Sequence, residues 1–209
     1  MAYQSKGVVA SLCFFFLILI FGCSNLNREW ENAKRANTVE AYQLFLKNFP
    51  ASPHEKEANE RIQSLKWENT KKTNTITEFQ EFIKTYSQDS HKDEALQHIK
   101  ELLCGYWQLD SGSTASFLNI KPETSEFLNL LPDGNVYVQI EGIRWAKGTY
   151  ELINFSQLKI DITASYKRNL MFTILGNKLV HTDKEGEARY NKFVVDTSKS
   201  KQTTSITFE

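Results

Sequence analysis

The chain has 209 residues, 41% of them hydrophobic and 24% charged, and its 25 basic side chains balance 25 acidic ones. Such a composition describes an ordinary folded protein and excludes a low-complexity or disordered polymer. The balanced charge argues against nucleic acid as a partner, because phosphate binding needs a concentrated basic face.

The first element is an uncharged apolar run from Gly7 to Phe21 behind Lys6, closing on Ile20-Phe21-Gly22-Cys23. Retained as a helix, the core of this run would reach only about 22 Å at ~1.5 Å per residue, short of the roughly 30 Å hydrocarbon layer. It therefore reads as an export signal over residues 1–22. Ile20, Gly22 and Cys23 resemble the lipoprotein box of bacterial exported proteins, with Phe21 standing where a small residue is usual. The resemblance implies that Cys23 is the lipidation site, carrying diacylglycerol and an acyl chain such as palmitate after cleavage. Several acyl chains hold far more firmly than one, since each buried methylene adds ~0.8 kcal/mol. The mature protein is then a membrane-anchored, exported lipoprotein of the cell envelope. Loss of Lys6 with the signal leaves 24 basic against 25 acidic groups. Cys13 leaves with the signal and Cys23 takes the lipid, so Cys104 has no partner for an intramolecular disulfide. Beside Leu102, Leu103 and Gly105, Cys104 reads as a small buried apolar residue. Residues 23–28 form the tether, and the seven steps from Cys23 to Trp30 span at most about 25 Å, so a partner must lie close to the membrane. Ser24 lacks the aspartate that enteric bacteria associate with inner-membrane retention, which favours the outer membrane if the source has one.

Residues 29–103 repeat with a period of 37: Trp30 matches Trp67, Asn37-Thr38 matches Asn74-Thr75, and Phe45, His54, Ala58 and Ile62 match Phe82, His91, Ala95 and Ile99. Val39, Tyr42, Phe45, Leu46 and Phe49 form one amphipathic stripe, repeated by Ile76, Phe79, Phe82, Ile83 and Tyr86. Ser52-Pro53-His54-Glu55, Thr75-Ile76-Thr77-Glu78 and Ser90-His91-Lys92-Asp93 have the form of capping boxes. The period predicts two stacked helical hairpins. Trp30, Ala33, Tyr42, Phe45-Leu46, Phe49-Pro50-Ala51-Ser52 and Ala58 resemble tetratricopeptide-like repeats of bacterial envelope lipoproteins, while Thr70 and Tyr86-Ser87-Gln88-Asp89 depart from that pattern in the second copy. This implies a protein-binding groove, with Trp30, Trp67, Tyr42 and Phe79 as candidate repeat-surface residues. Two repeats fall below the usual three of a free-standing array, so the helices are expected to lean on the following domain.

From Gly105 the period changes to alternation. Val136, Val138 and Ile140, then Leu158, Ile160, Ile162 and Ala164, present one apolar face. Pro132-Asp133-Gly134-Asn135, Gly176-Asn177 and Asp183-Lys184-Glu185-Gly186 supply turns. Strands are expected near Trp107, Phe117, Phe127, Tyr137, Tyr150, Ile160, Phe172, Leu179 and Tyr190. The expected class is α+β: helical-hairpin repeats followed by a small antiparallel β-barrel over residues 104–195, with 196–209 as a polar tail or, through Ser205 to Phe208, an edge strand. Gly105-Tyr106-Trp107, Leu131-Pro132-Asp133-Gly134, Gly148-Thr149-Tyr150 and Phe172 to Leu179 resemble, in order and spacing, a lipocalin-like domain of exported bacterial proteins. That resemblance implies an up-and-down barrel able to hold a small hydrophobic ligand near Trp107, Tyr150 and Phe172. A barrel of this size can equally be filled by its own side chains, and these three residues by themselves fit core as well as binding floor.

No phosphate loop, paired zinc cysteines or nucleophile elbow is present in the sequence. His91 and His98 lie two helical turns apart, about 10.5 Å, too far for both rings to reach one ion over bonds of ~2 Å. They read as solvated helix residues, and His181 with Asp183 and Glu185 reads as a hairpin end. No catalytic, metal or cofactor site is expected. The leading expectation is a non-catalytic, lipid-anchored envelope protein that presents its repeats to another protein as an interaction or scaffold module. The alternative is a carrier or sensor of a small hydrophobic ligand in the barrel.

Overall fold

A computed structural model describes residues 25–115, 126–140, 143–163, 167–184 and 186–193. The signal, Cys23, Phe117, Ala164 and the tail from 194 onward lie outside the described residues. The chain divides into two compact units, Met1–Lys72 and Thr73–Glu209.

The first unit contains α1 (25–36), α2 (Val39–Asn48) and most of α3 (Glu55–Thr73). An Asn-Thr pair separates α1 from α2. Asn37 turns left-handed at φ 47 and its N–H closes on the Ala33 carbonyl at 2.9 Å, which ends α1. Thr38 is extended, and its hydroxyl accepts from the Ala41 N–H at 3.2 Å, which starts α2. The same pair recurs 37 residues on: Asn74 stands at φ 51 after α3, and Thr75 accepts from the Glu78 N–H at 3.3 Å to open α4 (Ile76–Thr85). A stop and a start in consecutive residues turn the chain without a long loop. Trp30, Ala33, Val39, Tyr42, Phe45, Ala58 and Ile62 form the core of this unit. No glycine or proline interrupts α3, which runs unbroken through Trp67.

The second unit joins α4 and α5 (Lys92–Leu103) to an eight-stranded barrel. Of the expected capping boxes, the one at Ser90 is corrected: His91 occupies the cap position without a side-chain bond, and the Asp89 carboxylate accepts from the His91 N–H instead, at 2.6 Å. The strands are β1 (Gly105–Leu109), β2 (Glu126–Leu130), β3 (Asn135–Ile140), β4 (Ile143–Asn154), β5 (Gln157–Ile162), β6 (Arg168–Leu175), β7 (Lys178–Asp183) and β8 (Gly186–Lys192). Each pairs antiparallel with its sequence neighbours, and β1 closes on β8 through Trp107 with Lys192, Gln108 with Asn191 and Leu109 with Tyr190. The fold is thus α+β with a closed up-and-down barrel.

Alternation fixes the barrel interior: Leu128 faces Val138 across β2 and β3, and Ile160 faces Leu170 across β5 and β6. At the β2–β3 turn Gly134 takes φ 85 while the Asp133 carboxylate accepts from the Asn135 N–H at 2.9 Å. Gly148 on β4 has a different reason. A Cβ there would collide with the Asp161 carbonyl oxygen and lie 2.7 Å from Ile162 Cδ1. Gly148→Ala should therefore force β4 from β5 and destabilise the barrel by about 2–4 kcal/mol. Urea unfolding should show the loss as a lower midpoint; an unchanged midpoint would mean the strands shift freely.

Candidate functional site

The three residues expected to line a barrel ligand site fall into two clusters. Trp107 and Tyr150 converge on the α5–β1 connection. The Trp107 indole N–H donates to the Leu103 carbonyl at 2.8 Å, and the Lys192 ammonium sits 4.8 Å above the indole ring. Lys192 also donates to the carbonyls of Leu102 at 2.9 Å, Leu103 at 3.1 Å and Cys104, closing the carboxyl end of α5 from the last strand. Those carbonyls, the helix terminus and the indole face all favour a cation. Burial acts the other way and prevails, pushing the Lys192 pKa down to about 8. Tyr150 donates to the Leu131 carbonyl at 2.6 Å and lies 3.5 Å from the Cys104 sulfur. Burial, then the hydrogen bond with Cys104, raises its phenol well above the usual range.

Phe172 belongs to the second cluster, 5.4 Å from the His181 ring and 5.9 Å from the Tyr190 ring. The Tyr190 hydroxyl donates to the carboxylate of Glu126, which is fully buried at the start of β2. Sequence reasoning missed Glu126, although the signal existed: it shares parity with Leu128 and Leu130, whose side chains point inward. His181 lies two residues before the end of β7, in the β7–β8 hairpin as expected, and there it wedges against β6. The β6–β7 ladder stops at Thr173 with Val180, and beyond it the His181 Nδ1 faces the Met171 carbonyl at 2.8 Å.

Exposure decides whether the interior is open. Trp107, Leu128, Leu130, Val136, Val138, Leu158, Ile160, Leu179 and Tyr190 each have 0% of their surface accessible. A void able to admit water would register as accessible area on the side chains around it, so none touches these residues. The wall they form encloses its own side chains.

The aromatic residues expected on a repeat surface are interior: Trp30, Tyr42, Trp67 and Phe79 are all buried. Trp30 packs against Tyr42 at 5.8 Å and Phe45 at 5.1 Å and stacks on His54 at 4.6 Å. An indole is too large an apolar surface to leave wet when α1 and α2 fold back on each other. His91 and His98 are half-exposed, each with one face against the protein. His98 stacks on Phe79 at 4.8 Å, and the His91 ring meets Asp89 at 2.6 Å. Among the described residues no His, Cys, Asp and Glu cluster is arranged to hold a metal, and no helix is long and apolar enough to cross a membrane.

What the first unit does expose is a groove of about 210 Å³ between α1 and α2, lined by Ala33, Ala36, Ala41, Leu44 and Phe45 with Asn32 and Asn48 at its edges. Leu44 is 58% exposed there, although it lies on a helix whose other large apolar residues turn inward. Comparison with family models, curated proteins and solved structures finds no match for this chain.

Lys192 supplies a test of the α5–β1 junction. Its amine titrates near pH 8 in the folded chain and near 10.4 when unfolded. Between those values the unfolded chain binds the additional proton, so stability rises with pH. The stability of the native chain relative to Lys192→Met should climb from pH 8 to 10 and stay level between pH 6 and 7.5. Chemical denaturation at fixed salt checks this; parallel pH profiles would refute it.

Proposed function

We propose that this protein is a non-catalytic, lipid-anchored component of the bacterial cell envelope that presents its amino-terminal helices to another envelope protein. The helices are proposed to be tetratricopeptide-like repeats and the barrel to be lipocalin-like in type. The observation that carries the reading is the groove between α1 and α2, with small alanines on its walls and Leu44 held out into water. Three alanines let a partner approach the helix backbones closely, and Leu44 gives it an apolar anchor. The Asn37-Thr38 turn and the packing of Trp30 on Tyr42 and Phe45 hold α1 against α2, so the groove is preformed.

The anchor supports the same reading. Cys23 stands two residues before the first described helical residue, so lipid on its sulfur would keep the groove within a few tens of ångströms of the bilayer. The close packing around Trp107, Leu128, Ile160 and Tyr190, none of them with accessible surface, supports an interaction module over a carrier.

Two measurements test this. Cys23→Ser should abolish labelling by radioactive palmitate and block maturation at the signal, and persistence of label would remove the anchor. In cells, a photo-crosslinking amino acid at position 44 should yield one discrete membrane-associated adduct that a neighbouring Ala36→Glu change suppresses at least fivefold. Adducts insensitive to Ala36→Glu would sink the groove as the contact.

A further inference from the structure

A second cleft lies wholly within the other unit, where α4 and α5 meet the β4–β5 turn. It encloses about 420 Å³, within the roughly 300–1,000 Å³ range of small-molecule sites. Ile83, Leu96, Ile153 and Phe155 supply apolar surface, and Lys84 and Lys92 stand in its lining without any acidic residue among them. Ile153 is 46% exposed, an unusual position for a large aliphatic side chain at a strand end. The walls are fixed to each other: the Gln80 side chain on α4 donates to the Phe155 carbonyl at 2.7 Å and to the Ile174 carbonyl at 3.0 Å. The cleft is therefore preformed, and a ligand need not order it.

The charges select the ligand's head. Lys84 meets Glu81 only at 4.0 Å with both side chains largely exposed, a geometry that holds an ammonium weakly. Asp89, which precedes α5, is engaged by the backbone and ring of His91 at 2.6 Å each. Asp93 and Glu94 follow Lys92 in the first turn of α5 but do not line the cleft. The cleft thus offers an apolar body site with two ammonium groups on it. Its volume is that of a small-molecule site, twice the volume of the α1–α2 groove.

We propose that this cleft binds a free fatty acid, with the acyl chain against Ile83, Leu96, Ile153 and Phe155 and the carboxylate between Lys84 and Lys92. The site lies outside the barrel and is independent of the α1–α2 groove. The probe is dodecanoate, added to the full chain in phosphatidylcholine nanodiscs and followed through the isoleucine δ1 methyl resonances. The methyls of Ile83 and Ile153 should shift and saturate, whereas dodecyltrimethylammonium, of equal chain length and opposite charge, should leave them at least fivefold less affected. The paired change Lys84→Glu and Lys92→Glu should weaken dodecanoate at least fivefold, and Ile153→Asp should do the same, with the Ile99 and Ile160 methyls unmoved as evidence that both variants fold. Equal responses to both amphiphiles, wild-type affinity in both variants, shifts confined to Ile160 and Ile174 inside the barrel, or no shift would each overturn the proposal.

Discussion

The second unit turns on one half-buried lysine amine. Lys192, the last residue of β8, places its amine on the terminal carbonyls of α5 and over the indole of Trp107 on β1. The last strand is brought back at that point to two elements adjacent in sequence, the end of α5 and the first strand. The carbonyls have no intrahelical donors because a helix always leaves its final ones open, and Cys104 and Gly105 turn the chain too quickly into β1 to supply any. Gly105 makes the turn at φ 113, with the Lys192 amine 3.5 Å from where its Cβ would stand. The ring closure of the barrel and the carboxyl end of α5 therefore share one amine; displacing it would take a donor from the Leu102 and Cys104 carbonyls, while that of Leu103 keeps the Trp107 indole N–H.

The helical region rests on shorter-range physics. Asn-Thr ends one helix and begins the next because asparagine tolerates the left-handed conformation and threonine accepts from the first free N–H groups. Once the turn is set, α1 and α2 must bury what lies between them, and Trp30 fills that space with Tyr42, Phe45 and His54 around it. The aromatic residues thus hold the helices together, and the groove between α1 and α2 is lined by alanines and Leu44 with Glu29, Asn32 and Asn48.

In the barrel, filling and function compete for the same volume. Strands of five to eight residues for the most part, with large inward side chains, close the space against water. The polar groups inside, Glu126 with Tyr190 and His181 against Met171, are taken up in bonds to the wall. The two surfaces proposed above for other molecules, the α1–α2 groove and the lysine-bearing cleft beside the β4–β5 turn, lie outside the barrel.

Much of this was legible because it is local. The Asn-Thr pairs 37 residues apart and the two-residue alternation of Val136, Val138, Leu158 and Ile160 each declare themselves within a few residues, since caps and strand parity act over that range. The sequence by itself determined that helices precede strands, the change between them at Gly105 and the inward residues of β3 and β5. It did not determine which inward residues meet. The pairing of Glu126 with Tyr190, the seat of Lys192 on α5, the wedge of His181 and the cleft walled by Ile83 and Phe155 join positions 64 to 90 or so residues apart, or 10 in the case of His181 and Met171 across a broken ladder. Those contacts were decided only by the tertiary structure, because closing a barrel fixes which strand ends become neighbours, and no periodicity along the chain encodes that distance.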